Sequence, residues 1–145
     1  MAVERTATAE WQGDLMGGSG KVSTGSRVVD GATVKWSSRA EQADENTSPE
    51  ELIAAAHATC VLMALAHGLA QAGTPAQHIE SRATASFDKV GDGFRFTTMH
   101  LQISGQVDGV DDEGFRQAAE AAAENCPVSQ ALKGNVDVSL EATLA

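Results

Sequence analysis

The sequence has no tyrosine, and its four phenylalanines and two tryptophans leave aromatics at 4% of 145 residues. Large rings supply much of the buried area in a small domain. Here alanine, at 25 residues, has to fill that space, and each alanine removes little surface from water. A core this thin predicts a chain that completes its packing against a second copy, as an obligate homodimer. Positive charge is also scarce. Ten Lys and Arg face twenty Asp and Glu, giving a net charge of −10 and an isoelectric point near 4.6. Such a chain gains no counterion-release energy on nucleic acid and is repelled by anionic lipid, so neither is an expected partner. There are two cysteines, Cys60 and Cys126, and no CxxC, which removes thioredoxin-type motifs and zinc knuckles. Neither HExxH nor a GxxxxGK[ST] phosphate loop is present. Residues 1–6 have no apolar h-region, so no signal peptide is expected. The longest apolar run, Ala54 to Ala66, is interrupted by His57 and Thr59 and reads as too short and too broken for a membrane span. These features predict a cytoplasmic protein with reduced cysteines.

What is present fits one globular domain over residues 1–145, with 42% hydrophobic and 21% charged residues. Alternation through Val3, Arg5, Ala7, Ala9 and Trp11 predicts a strand, and the glycines at 13, 17, 18 and 20 a hairpin turn. Val22–Thr24 and Ala32–Trp36 read as two short strands, followed by a polar stretch over 37–47. Ser48-Pro49-Glu50-Glu51 is a capping box with proline in the first turn, and it opens a helix with apolar residues on nearly every side. That helix reads as buried all round, ending near Ala72 with Gly73 as its left-handed terminator and Pro75 beyond. Two long strands, 79–90 and 94–107, flank a Gly91-Asp92-Gly93 turn. A helix over 111–124 carries Phe115, Ala118, Ala119, Ala122 and Ala123 at helical spacing, and Pro127 starts a short helix that stops at Gly134. Val136, Val138, Leu140, Ala142 and Leu144 alternate as a last strand. Strands and helices without regular βαβ alternation indicate an α+β fold with a mostly antiparallel sheet.

Taken alone, each cysteine reads first as a small buried hydrophobe. Cys126, however, lies just before Pro127 at a helix start, where backbone N–H groups favour a thiolate. His57, Cys60 and His67 share one broad helix side, which suits either a metal corner or a Cys–His nucleophile pair. The simpler reading makes His57 a hydrogen-bonded structural imidazole and His67 a solvated one. Glu50 and Glu51 are adjacent carboxylates, but neighbours on a helix point about 100° apart, and Glu51 has the capping role.

The stretch from Ser48 through Glu50, His57 and Thr59 to Cys60 resembles the first cysteine motif of the OsmC/Ohr family, the osmotically inducible and organic-hydroperoxide-resistance proteins. Asn125-Cys126-Pro127-Val128-Ser129-Gln130-Ala131-Leu132 resembles its second. Trp11-Gln12-Gly13-Asp14, Lys21-Val22-Ser23-Thr24 and Asp88-Lys89-Val90 fit as well, and His57 favours the OsmC branch over the Ohr branch, which tends to have tyrosine there. The resemblance implies an OsmC-like α+β fold, with mostly antiparallel sheets around a buried central helix in an intertwined dimer. It also implies a thiol peroxidase that turns organic hydroperoxides into alcohols without metal or flavin. Cys60 is then the attacking thiol and Cys126 the resolving one, closing to a disulfide that an external dithiol reduces. Glu50 and an arginine hold and activate the thiolate. Ser37-Ser38-Arg39 fills the place of the family's arginine, in what the branch has as the strand before the first helix, which selects Arg39 with Arg27 as runner-up.

Ten residues of helix rise about 15 Å, so Glu50 cannot reach Cys60 of its own chain along a continuous helix. The expected site therefore combines Cys60 and Cys126 of one chain with Arg39 and Glu50 of the other. Two other readings compete: a Cys–His hydrolase or acyl-transfer enzyme using Cys60 and His57, and a non-catalytic stress-induced dimer that binds small hydrophobic molecules.

Overall fold

A computed structural model describes all residues, 1–145. The chain divides into two compact units, Met1–Leu52 and Ile53–Ala145.

In the first unit, β1 (Ala7–Gln12), β2 (Ser19–Thr24) and β3 (Ala32–Val34) form an antiparallel sheet in that order. The β1–β2 turn depends on glycine. Gly13 has φ 88°, and a Cβ on Gly18 would lie 2.3 Å from the carbonyl oxygens of both Gln12 and Asp14. The Trp11 indole N–H closes the turn by donating to the Gly13 carbonyl at 3.1 Å. Two expectations shift here. β1 starts at Ala7 rather than at residue 3, and β3 ends at Val34 because Trp36 opens a short helix, α1 (Trp36–Ala40). That helix has no side-chain N-cap. It is tied from its other residues: Ser38, buried, donates to Asp44 Oδ2 at 2.9 Å, and Arg39 reaches Glu50. Little of this unit is buried, and every residue of β1 is exposed.

The helix α2 (Pro49–Gln71) begins as its cap predicts. The Ser48 hydroxyl accepts from the Glu51 N–H at 3.1 Å. The reciprocal half of the capping box is replaced, since the Glu51 carboxylate takes the Thr47 hydroxyl at 3.1 Å instead. At the other end Gly73 has φ 83°, and Thr74 N–H returns to the Leu69 carbonyl at 2.9 Å. By length and composition α2 is able to cross a membrane, contrary to the sequence expectation. Neither supposed interruption breaks it. His57 is fully buried in protein, and Thr59 bonds its hydroxyl to the Ala55 carbonyl at 2.9 Å.

In the second unit, β4 (His78–Val90) and β5 (Gly93–Gln106) form the expected hairpin around Gly91, φ 62°, with a bulge at Ser86/Phe87. β6 (Asp137–Leu144) pairs with β5 in parallel, so the sheet is mixed, in the order β4-β5-β6. The parallel pair needs a crossover, which α3 (Asp112–Asn125) and α4 (Pro127–Leu132) supply. Asp111 caps α3 by accepting from the Gly114 N–H at 2.7 Å. One core joins these elements: Val61, Leu65 and Leu69 of α2, Met99, Leu101 and Ile103 of β5, and Phe115, Ala119 and Ala122 of α3. Gly105 lets β5 pass close to Phe115, because a Cβ there would lie 2.8 Å from Ile79 Cγ2 and 3.0 Å from Phe115 Cζ. The helix is not buried all round as expected. Ala54, His57, Val61, Leu65 and Leu69 form one buried stripe, while Ala55, Ala56, Thr59, Met63 and Ala66 are exposed. Alanine reads as apolar in any pattern, so periodicity could not separate a face covered within the chain from one that is not.

Candidate active site

Cys60 and Cys126 come together in the second unit, both as free thiols. Cys60 lies midway along α2 and is half-buried, packed against the core. Cys126 is fully buried at the joint where α3 ends and α4 begins. Pro127 at the first turn of α4 makes that joint sharp, since it fixes its own φ and needs no hydrogen-bond acceptor there. The two thiols lie close enough that each shifts the other's acidity.

The two thiols are not equivalent. Burial pushes the Cys60 thiol above its ordinary range, and the contact with Cys126 pushes it further; the Val128 N–H opposes this without overcoming it. Burial also raises Cys126, but the Ser129 N–H, the Cys60 thiol, the Ser129 hydroxyl and the Val128 N–H together outweigh it, so Cys126 is lowered. The helix-start effect expected at Cys126 thus has named donors, Val128 and Ser129. None of the groups acting on Cys60 is a cation. The more acidic thiol is the buried one, and among the groups acting on Cys60 only the Val128 N–H favours its thiolate.

His57 lies one helical turn before Cys60, fully buried, with Nε2 2.7 Å from Ser129 Oγ. Its Nδ1 is buried without a partner, and burial lowers its pKa, so the imidazole is neutral at pH 7. This is the hydrogen-bonded structural histidine of the simpler reading, and its Nε2 is committed to Ser129 rather than to Cys60. His67 is exposed. No three His, Cys, Asp or Glu side chains are grouped to hold a metal. Ser129 was not singled out from sequence; its signal is spacing, three residues after Cys126 and one turn into α4.

The other predicted pair is complete within the first unit. Arg39 Nη2 donates to Glu50 Oε1 at 2.8 Å, and Arg39 Nε donates to Oε1 at 3.2 Å and Oε2 at 3.1 Å. The Glu50 side chain is 7% exposed and that of Arg39 34%. A carboxylate this buried requires a partner, and the forked guanidinium provides one with its geometry fixed. Arg39 sits on α1, not in a strand as its placement from the family pattern had it. Arg27 is exposed in the turn after β2, with φ 62° and its N–H on the Thr24 carbonyl. Glu51, beside Glu50, is exposed on Thr47.

Beside Cys60 in sequence, α2 and β4 enclose an apolar groove of about 430 Å³, lined by Ala58, Thr59, Leu62, Met63, Ala66, Ile79 and Ser81. The Ser81 hydroxyl holds its floor by donating to the Ala58 carbonyl at 2.7 Å.

The fold is α+β, and its second unit brings the two free cysteines together. The chain belongs to the OsmC-like protein family, whose model matches residues 42–141. It is 38% identical over 141 residues to Peroxiredoxin OsmC of Escherichia coli (strain K12), covering 97% of this chain and 98% of that one. It is 32% identical over 130 residues to the organic hydroperoxide resistance protein OhrA of Bacillus subtilis (strain 168), covering 86% and 88%. Among solved structures, an organic hydroperoxide resistance protein OsmC from Legionella pneumophila superposes with a TM-score of 0.73 at 25% identity, over 99% of each chain.

Proposed function

We propose that this protein is a thiol peroxidase that reduces organic hydroperoxides to alcohols, acting as one OsmC-like domain over residues 1–145. The observation that carries the reading is that the fold brings the cysteines of two motifs far apart in sequence close enough to shift each other's acidity, one half-buried and one buried. Cys60 is the attacking thiol because it is the one a substrate can reach. Its thiolate takes the terminal oxygen of R–O–OH; the O–O bond breaks, and the alkoxide leaves with a proton as alcohol. Cys60 becomes a sulfenic acid. The Cys126 thiolate then attacks the Cys60 sulfur, a disulfide forms, and hydroxide departs to be protonated to water. An external dithiol restores both thiols, as the reducing cytoplasm allows. No cofactor takes part. The apolar groove between α2 and β4, lined by Ala58, Leu62 and Ile79, suits the alkyl part of the hydroperoxide.

Arg39 and Glu50 are assigned to the site of a partner copy. The rise of α2 between positions 50 and 60 supports this, as does the absence of a cation among the groups acting on Cys60. A homodimer also accounts for exposed apolar surface that a lone chain would leave in water: Trp11 of the fully exposed β1, and Ala55 and Ala56 of α2.

The test is stopped-flow reduction of tert-butyl and cumene hydroperoxides against hydrogen peroxide, with a dithiol in excess. The expected result is faster turnover of the organic peroxides, abolished in Cys60→Ser. Equal single-turnover rates in the wild type and Cys60→Ser refute the reading. Peroxide-independent ester hydrolysis needing Cys60 but not Cys126 would point instead to the hydrolase.

A further inference from the structure

The buried imidazole of His57 has no part in the reaction as written, yet it is bonded to the one side-chain hydroxyl that acts on Cys126. Its two nitrogens differ: Nε2 is 2.7 Å from Ser129 Oγ, while Nδ1 is buried with no partner. A buried donor without an acceptor is costlier and rarer than a lone pair without a donor. The proton of the neutral ring therefore belongs on Nε2, and Nε2–H donates to Ser129 Oγ. With its lone pair so engaged, the hydroxyl proton of Ser129 is free to point at the Cys126 sulfur. The bond from imidazole to hydroxyl joins α2 to α4 across 72 positions of sequence, and the same hydroxyl is among the groups that lower Cys126. Hydrogen bonds aligned in this way polarise one another in a buried setting.

We propose that His57 and Ser129 are positioning residues for the resolving thiol: His57 orients the Ser129 hydroxyl onto Cys126, and this holds Cys126 ready to close the disulfide on oxidised Cys60. The inference rests on the peroxidase reading for the step it accelerates. Cys126 is packed in the apolar core with side chains that include Met99 and Leu101 of β5, Phe115 of α3 and Val61 of α2. The titratable groups that act on it are Cys60 and, through Ser129, His57. The hydrogen-bond chain donates toward negative charge on Cys126, and neither His57 nor Ser129 is among the groups acting directly on Cys60. It should speed the second chemical step without changing the first.

The test uses two readouts. In the Cys60→Ser background, thiolate absorbance reports Cys126 with no peroxide present. Ser129→Ala and His57→Leu should each move that titration to higher pH. Ser129→Thr, which keeps the hydroxyl, and His57→Gln, which keeps an N–H near Nε2, should restore most of it. In the two-cysteine protein, stopped-flow should show sulfenic acid forming at the wild-type rate in Ser129→Ala and His57→Leu, with disulfide closure slowed roughly tenfold at pH 7. An unchanged titration in Ser129→Ala overturns the proposal. So does an equal slowing of both steps, or a loss that Ser129→Thr and His57→Gln fail to repair, either of which marks a purely structural role. A protein that titrates as expected but consumes no peroxide would refute the peroxidase reading and leave the hydrogen-bond chain standing.

Discussion

Replacing Arg39 with alanine should slow peroxide attack by about thirtyfold or more at pH 7, and the size follows from the state of Cys60. A thiol of ordinary acidity, pKa near 8.5, is only about 3% ionised at that pH. If the arginine of a partner copy keeps Cys60 essentially ionised, its removal forfeits about a thirtyfold population of nucleophile. Burial and the Cys126 contact push Cys60 above the ordinary value, so the loss should exceed that figure. The deficit should also be conditional on pH, because the thiolate is recovered as pH rises through the raised pKa. The variant's rate should climb toward that of the wild type in alkaline buffer, while the wild type stays flat from neutrality upward. Arg39→Lys should recover only part, since an ammonium cannot make the forked contact to both Glu50 oxygens. The variant should lose some stability too, about 1–3 kcal/mol, because Glu50 would be left buried without its partner. The assay is single-turnover oxidation of Cys60 followed across pH, with thermal unfolding alongside. An Arg39→Ala protein with an unaltered pH profile, together with an altered one in Arg27→Ala, refutes the reasoning and moves the role to Arg27.

Four further outcomes are expected. Cys126→Ser should complete one turnover and then accumulate sulfenic or over-oxidised Cys60, visible by mass spectrometry. Sedimentation should show a homodimer at micromolar concentration, and refolded mixtures of Cys60→Ser and Glu50→Ala subunits should regain activity; a fully active monomer would contradict both. Gly105→Ala should cost about 1–3 kcal/mol in denaturant unfolding, because the added methyl meets Ile79 and Phe115 at 2.8–3.0 Å. Finally, burial lowers the pKa of His57 below that of the unfolded chain, near 6.5. The unfolded state then takes up the proton first as pH falls, so this contribution to stability is complete above about pH 6.5 and declines through the window below it. Unfolding of the wild type and His57→Gln at pH 7.5 and 5.5 measures it, and parallel pH dependences would exclude it.

Where local chemistry dictates local structure, the sequence could be read directly. Ser48 and Pro49 start α2, Gly73 ends it, Gly91 turns the hairpin, and the alternation from Val136 to Leu144 marks β6. What could not be read depends on distant partners. The helix α1 carries no cap of its own and is tied down through Ser38 and Arg39, so its composition reads as loop. The parallel direction of β6 is a property of the crossover, not of its residues. The site divides in the same way. The pairing of Cys60 with Cys126 and of Arg39 with Glu50 was accessible through likeness to a family, whereas the contact of His57 with Ser129 joins two elements by one hydrogen bond whose only trace in the sequence is the spacing of Ser129 from Cys126.

The parallel union of β5 and β6 has a consequence for how the protein is made. His100 on β5 meets Ser139 on β6, 39 positions further along the chain, so the loop must close before either strand is rewarded for pairing. Until α3 and α4 have folded back, β5 presents an open edge on a strand whose one face carries the apolar Met99, Leu101 and Ile103. That interval is when the nascent protein is most exposed to misassembly with its own kind. Its yield in the cell should therefore depend on synthesis rate and chaperone supply more than its final stability would suggest.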